Sequence, residues 1–159
     1  MPGLSGRFGG RSFSEGFMSR KSRSRQDNPR YVPMVVLPAD APVLPGSHEV
    51  EVAWILARHF GVSVEFLRPS EGYKMKTADM VMNGLIWEIK SPTGSSRMTV
   101  SNQFRRASKQ STHVVFDARR VHLDENNVLS QVRVEMKKRR FKAVLFITKA
   151  GTVLEIRPS

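Results

Sequence analysis

Apolar positions along this chain switch between helical and strand spacing, and the switches divide it into elements. Val52, Ala53, Leu56, Ala57 and Phe60 recur at helical spacing, with Gly61 as a stop. Ser47 is predicted as the N-cap, and Glu49 and Glu51 stand in the first turn, where carboxylates favour the helix dipole. Val62 to Leu67 reads as a strand, and Arg68 to Thr77 as a basic loop. Two strand-like runs follow, Ala78 to Met82 and Leu85 to Lys90, on either side of Asn83-Gly84, a strong signal for a two-residue type I′ turn. After the small-residue loop Ser91 to Arg97, a second helix fits from about Thr99 to Gln110, with Val100, Phe104 and Ala107 as its buried stripe. Val114-Val115-Phe116 has the look of a strand buried on both faces. A third helix is predicted from Asn127 to Arg140, with Val128, Leu129, Val132 and Met136 inward, and a hairpin around Ala150-Gly151 joins Phe141–Thr148 to Thr152–Ile156. The predicted order is helix, three strands, helix, strand, helix, two strands.

The segment before the first helix has a different composition. Gly, Ser and Arg dominate as far as Arg30, and Pro33, Pro38, Pro42 and Pro45 then punctuate an extended stretch. Residues 1–46 are therefore expected to be a disordered basic arm and a proline-rich linker, and residues 47–159 one folded domain. An Arg/Ser-rich leader poor in acids also suits an organelle transit peptide, although a long amphipathic run is missing.

Charge narrows the choice of partner. Twenty-six Lys and Arg against 14 Asp and Glu leave a formal +12, of which the seven bases and three acids of residues 1–47 supply only +4. The predicted fold is basic in its own right, and nucleic acid is the leading partner for such a surface. No run reaches the roughly 18 apolar residues that a membrane-spanning helix needs. Without cysteine there is no disulfide, thiolate zinc site or thiol nucleophile.

The Asn83-Gly84 turn sets a register that pairs Met82 with Leu85, Val81 with Ile86, Met80 with Trp87 and Asp79 with Glu88. Two acids would then face each other with β-carbons about 5 Å apart, a destabilising arrangement in an ordinary sheet. Lys90 shares the Glu88 face, while Trp87, Ile89, Met80 and Met82 line the other. A divalent cation would relieve the repulsion. Mg2+ is the expected ion, with Mn2+ or Zn2+ as alternatives, held by Asp79, Glu88 and the backbone carbonyl of Ile89. Such an ion would polarise a phosphodiester and lower the pKa of a water, with Lys90 orienting that water or offsetting developing charge.

Asp79, a hairpin, and then Glu88-Ile89-Lys90 on the next strand resemble the PD-(D/E)XK nuclease superfamily, although Thr77-Ala78 stands where its name implies proline. More closely, His48-Glu49, Thr77-Ala78-Asp79, Asn83-Gly84, Trp87 to Ser91, Gln103 and Ala107 to Gln110 look like the C-terminal tRNase domain of CdiA-type contact-dependent inhibition toxins. The likeness covers roughly residues 47–157. It implies an α/β fold with a restriction-endonuclease-like core (αβββαβ), a central mixed sheet flanked by helices, and a further helix and C-terminal hairpin. It also implies that an acid on the first helix, Glu49 in preference to Glu51, joins Asp79, Glu88 and Lys90 as the catalytic set. Gln103, Lys109 and Gln110 would face the cleft and substrate, with Arg106 on the same helical face. The implied activity is metal-dependent cleavage of RNA, tRNA above all, by a toxin or mobile-element nuclease that acts in the cytoplasm of the cells it enters.

Rival readings stand beside this one. A DNA endonuclease could use the same chemistry, and a non-catalytic nucleic-acid-binding module could use the same charge. Asp79, Glu88 and Lys90 could be an exposed charged face, and Lys137 to Arg140 a solvated helix end. His48, His59, His113 and His122 lack paired metal spacing, and Trp54 and Trp87 are expected in the core. A toxin active in the cytosol would need an inhibitor for its basic cleft, and an acidic immunity protein is the expected partner.

Overall fold

A computed structural model describes residues 32–69 and 77–159. The predicted arm before residue 32, and most of the basic loop before the hairpin, lie outside these described residues. Three helices and seven strands are formed among them: β1 (Val35–Val36), α1 (Ser47–Phe60), β2 (Val64–Phe66), β3 (Met80–Met82), β4 (Leu85–Lys90), α2 (Thr99–Ala107), β5 (His113–Asp117), α3 (Glu125–Lys138), β6 (Ala143–Ile147) and β7 (Val153–Ile156). All seven strands form one mixed sheet whose spatial order is the chain order. Parallel neighbours are β1–β2, β4–β5 and β5–β6, and each of these pairs is joined through a helix. Parallel strands need such a crossover; the antiparallel pairs do not. None of the described helices is long and apolar enough to cross a membrane.

The hairpin adopts the register that its turn predicts, with Met80 opposite Trp87, Val81 opposite Ile86 and Met82 opposite Leu85. Asn83 and Gly84 take φ values of 52° and 75°, the left-handed geometry of a type I′ turn. Phe104 from α2 stacks on Phe116 of β5, with ring centres 5.7 Å apart, and meets Phe141 edge-on at 5.3 Å. Val128, Val132 and Met136 of α3 complete that core cluster. The alternate side chains of the central strands, Val115, Leu145 and Ile147, are also buried. Among the described helices α1 is left to cover them, and it contacts β1 and β2 at one sheet edge and β7 at the other.

Several local expectations are corrected. Val35–Val36, inside the predicted linker, pairs with Val64 and Glu65 as an edge strand. Gly46, not Ser47, is the N-cap of α1, and its backbone N–H is satisfied by Glu49 Oε2 at 2.6 Å. Helix α2 stops at Ala107, short of the expected Gln110, because the turn that follows swings the Gln110 side chain towards the sheet. Helix α3 starts two residues early, since Asp124 accepts a hydrogen bond from Asn127 N at 3.0 Å and caps it. Trp87 is buried, but Trp54 is 36% exposed, under the Arg58 guanidinium.

Candidate active site

Residues from both hairpin strands meet at the end of β4. The ladder stops at Met80 and Trp87; one residue further back, Asp79 N donates to Trp87 O at 3.1 Å. The Asp79 carboxylate then accepts the Ile89 backbone N–H at 2.6 Å, which pins it against β4. Glu88 is only 2% exposed. Its Oε1 accepts from the Lys90 ammonium, and its Oε2 accepts from Gln110 Nε2 at 2.9 Å. Gln110 also donates to Thr77 O at 3.3 Å, so it bridges the carboxylate and the segment that leads through Asp79 into β3. Burial of this depth is unlike an exposed charged face, where a carboxylate keeps its water.

The electrostatics follow from that burial. Desolvation and the adjacent Asp79 charge push the Glu88 carboxyl up to about 7, against the opposing pull of Lys90. Asp79 is raised in the same direction, by burial first and by the Glu49 charge, while the Ile89 N–H works the other way. Excess negative charge in a dry site, with hard oxygen donors, fits a divalent cation. The described residues assemble no cluster of three or more His, Cys, Asp or Glu groups around a metal position. Asp79 and Glu88 offer two carboxylates, and Mg2+ commonly takes only one or two from a protein. Glu49 is close enough for Asp79 to feel its charge, yet one of its oxygens caps α1. Glu51 is exposed and reaches Arg119 instead, 3.4 Å away.

Gln103 and Arg106 line a cleft beside Lys90, Gln110 touches Glu88 directly, and Lys109 is exposed outside the cleft lining. Sequence reasoning missed Asp117. Fully buried at the end of β5, it accepts Ser91 Oγ at 2.7 Å, Arg119 Nε at 2.9 Å and the Arg119 backbone N–H at 3.1 Å. Burial works to raise its carboxyl, but the bonds from Arg119 and Ser91 prevail and hold it below the ordinary carboxylate range. The available signal was an acid closing the apolar run Val114-Val115-Phe116. Lys90 and Asp117 both stand at the carboxyl ends of parallel strands, where open α/β sheets place their sites.

Residues 76–153 match the family model of the contact-dependent growth inhibition CdiA C-terminal domain. No curated protein matches the chain in sequence. Among solved structures, the CdiA-CT/CdiI toxin and immunity complex from Burkholderia pseudomallei contains a chain with a similar fold, at a TM-score of 0.50 and 17% identity. The similarity covers 79% of this chain and 99% of that one.

Proposed function

We propose that this chain, whose residues 76–153 match the CdiA C-terminal domain family, is the toxin domain of a contact-dependent growth inhibition system and acts as a metal-dependent nuclease on RNA, tRNA above all. The observation that carries the reading is the buried Glu88 beside Asp79, held between the Lys90 ammonium and Gln110. Asp79 and Glu88 would hold Mg2+, with the Ile89 carbonyl as a further oxygen, and Mn2+ or Zn2+ are the alternatives to it. Bound there, the ion supplies Lewis acidity and a water of lowered pKa. Lys90 places positive charge where a phosphoryl oxygen gains electron density, and Gln110 keeps the Glu88 carboxylate turned towards the site. Glu49 adds negative charge from the α1 side. The arrangement of Asp79, Glu88 and Lys90 also supports a restriction-endonuclease-like core of the PD-(D/E)XK kind.

RNA is favoured over DNA by the resemblance of the Gln103 to Gln110 segment to tRNase toxins; metal chemistry on a phosphodiester does not itself depend on the sugar. Delivery into target cells and action in their cytoplasm belong to the same reading, as does an acidic immunity protein that occludes the basic cleft. The solved relative in complex with its immunity protein supports such a partner.

The test is incubation of the purified protein with total tRNA and with plasmid DNA, in magnesium and in chelator. Cleavage of tRNA in magnesium alone is expected, and Asp79→Ala should lower it by at least roughly a hundredfold while binding is retained. Intact tRNA beside nicked plasmid would transfer the activity to DNA. Binding to tRNA without cleavage of either nucleic acid would leave a binding module.

A further inference from the structure

A cleft of about 480 Å³ opens beside the carboxylates, between the N-terminus of α1 and the outer face of α2. His48, Ser91, Asn102, Gln103, Arg106 and Arg120 are among its lining residues, and no carboxylate is among them. Ser91 follows Lys90 directly, so the cleft begins where the carboxylate site ends. Its volume is that of a pocket for one small ligand.

Two features of the lining point to an anion. Arg106 and Arg120 form no ion pair among the described residues, and no Asp or Glu lines the cleft to neutralise them. Arg120 is therefore free for a ligand, while Arg119 beside it is committed to Asp117 and Glu51. The floor is also prearranged. Ser91 is tied to the buried Asp117, and Gly94 O accepts the His122 backbone N–H at 3.1 Å, which anchors the loop after β4. Asn102 and Gln103 add side-chain amides, which offer both a donor and an acceptor to a base edge.

Resting on the nuclease reading above, we propose that this cleft seats an unpaired nucleotide of the RNA next to the bond to be cut. Arg106 and Arg120 take its phosphate oxygens, and Asn102 and Gln103 contact its base. Unpaired nucleotides are the positions at which proteins mostly read RNA bases, because side chains cannot enter the deep, narrow major groove of the A-form duplex. The substrate class that follows is RNA with a single-stranded segment at the cleavage point.

The experiment measures binding by fluorescence anisotropy in an Asp79→Asn background, where the RNA stays intact. Probes are a short single-stranded RNA oligonucleotide and the same sequence annealed into a duplex, both in magnesium. The parent should prefer the single strand. Arg106→Gln with Arg120→Gln should weaken it by roughly tenfold or more and flatten its dependence on salt by about 1.4 in logarithmic slope, the value for two lost phosphate contacts. Asn102→Trp, which fills the cleft and leaves charge untouched, should weaken single-strand binding similarly. Arg133→Gln with Lys137→Gln, an equal charge loss on α3, should change it by less than about twofold. Cleft variants that bind like the parent overturn this inference and leave the nuclease reading standing. So does equal weakening by the α3 pair, or a preference for the duplex. If tRNA is cleaved normally by the cleft variants in an Asp79 background, the cleft is likewise not the seat of the substrate. An Asp79→Asn protein that binds neither probe, together with an unsubstituted protein that cleaves no RNA, overturns both readings.

Discussion

Asp117 and Arg119 show how much can depend on one buried pair. Arg119→Met leaves the Asp117 carboxylate without its charged partner, and such losses cost about 3–5 kcal/mol. Urea unfolding of Arg119→Met should show a drop of that order, and Glu51→Gln, on the exposed side of the same guanidinium, a drop below about 1 kcal/mol. Glu88 gives a pH signature. Its folded pKa, about 7, lies above its ordinary 4.5, so the folded state holds a proton that the unfolded chain has released. Stability in chelator should therefore fall as pH rises from about 4.5 to 7, by on the order of 3 kcal/mol from Glu88, and Glu88→Gln should leave only the part that Asp79, raised in the same direction, contributes. Asp117 has the opposite sign: held low, its contribution is present above the ordinary value and lost as acid protonates it. Denaturant midpoints measured from pH 3 to 8 in chelator would then peak between the two windows.

At the same scale, the Asp79, Glu88 and Lys90 grouping was legible because one turn sets it. Once Asn83-Gly84 is a two-residue loop, alternation places every neighbour on a face. Asp117 and the cleft residues His48, Asn102 and Arg120 come from three separate segments, and they meet only through the parallel crossovers. No local spacing encodes that meeting.

Among the elements, the hairpin bears a sharp test. Gly84 sits at φ 75° with open space where a Cβ would be, so Gly84→Ala meets backbone strain alone. A loss of about 1–2 kcal/mol in unfolding free energy is expected, with cleavage unchanged at permissive temperature. Periodicity placed the three long helices and the buried strands well, because each has a clear apolar stripe. It failed at β1, a strand of two residues whose pairing with β2 no pattern announces, and at helix ends governed by caps. Gln110 is instructive here. Its helical spacing suggested the α2 face, whereas its bond to Glu88 is made possible by the end of the helix at Ala107.

For the whole molecule, a charge of +12 should make the association with tRNA steeply dependent on salt. Roughly six phosphate contacts would lower affinity by about a thousandfold between 50 and 200 mM salt, measurable by filter binding with the Asp79→Asn variant. A near-flat response would argue against a polyanion as the ligand. Helix α1 has a different consequence at this scale. It is seated against β1 and β2 on one side of the sheet and β7 on the other, and it brings His48 to the cleft. Until the chain has left the ribosome as far as Ile156, the first helix lacks the part of its seat that β7 supplies. The cleft that His48 lines can therefore take its settled shape only once β7 has paired with β6.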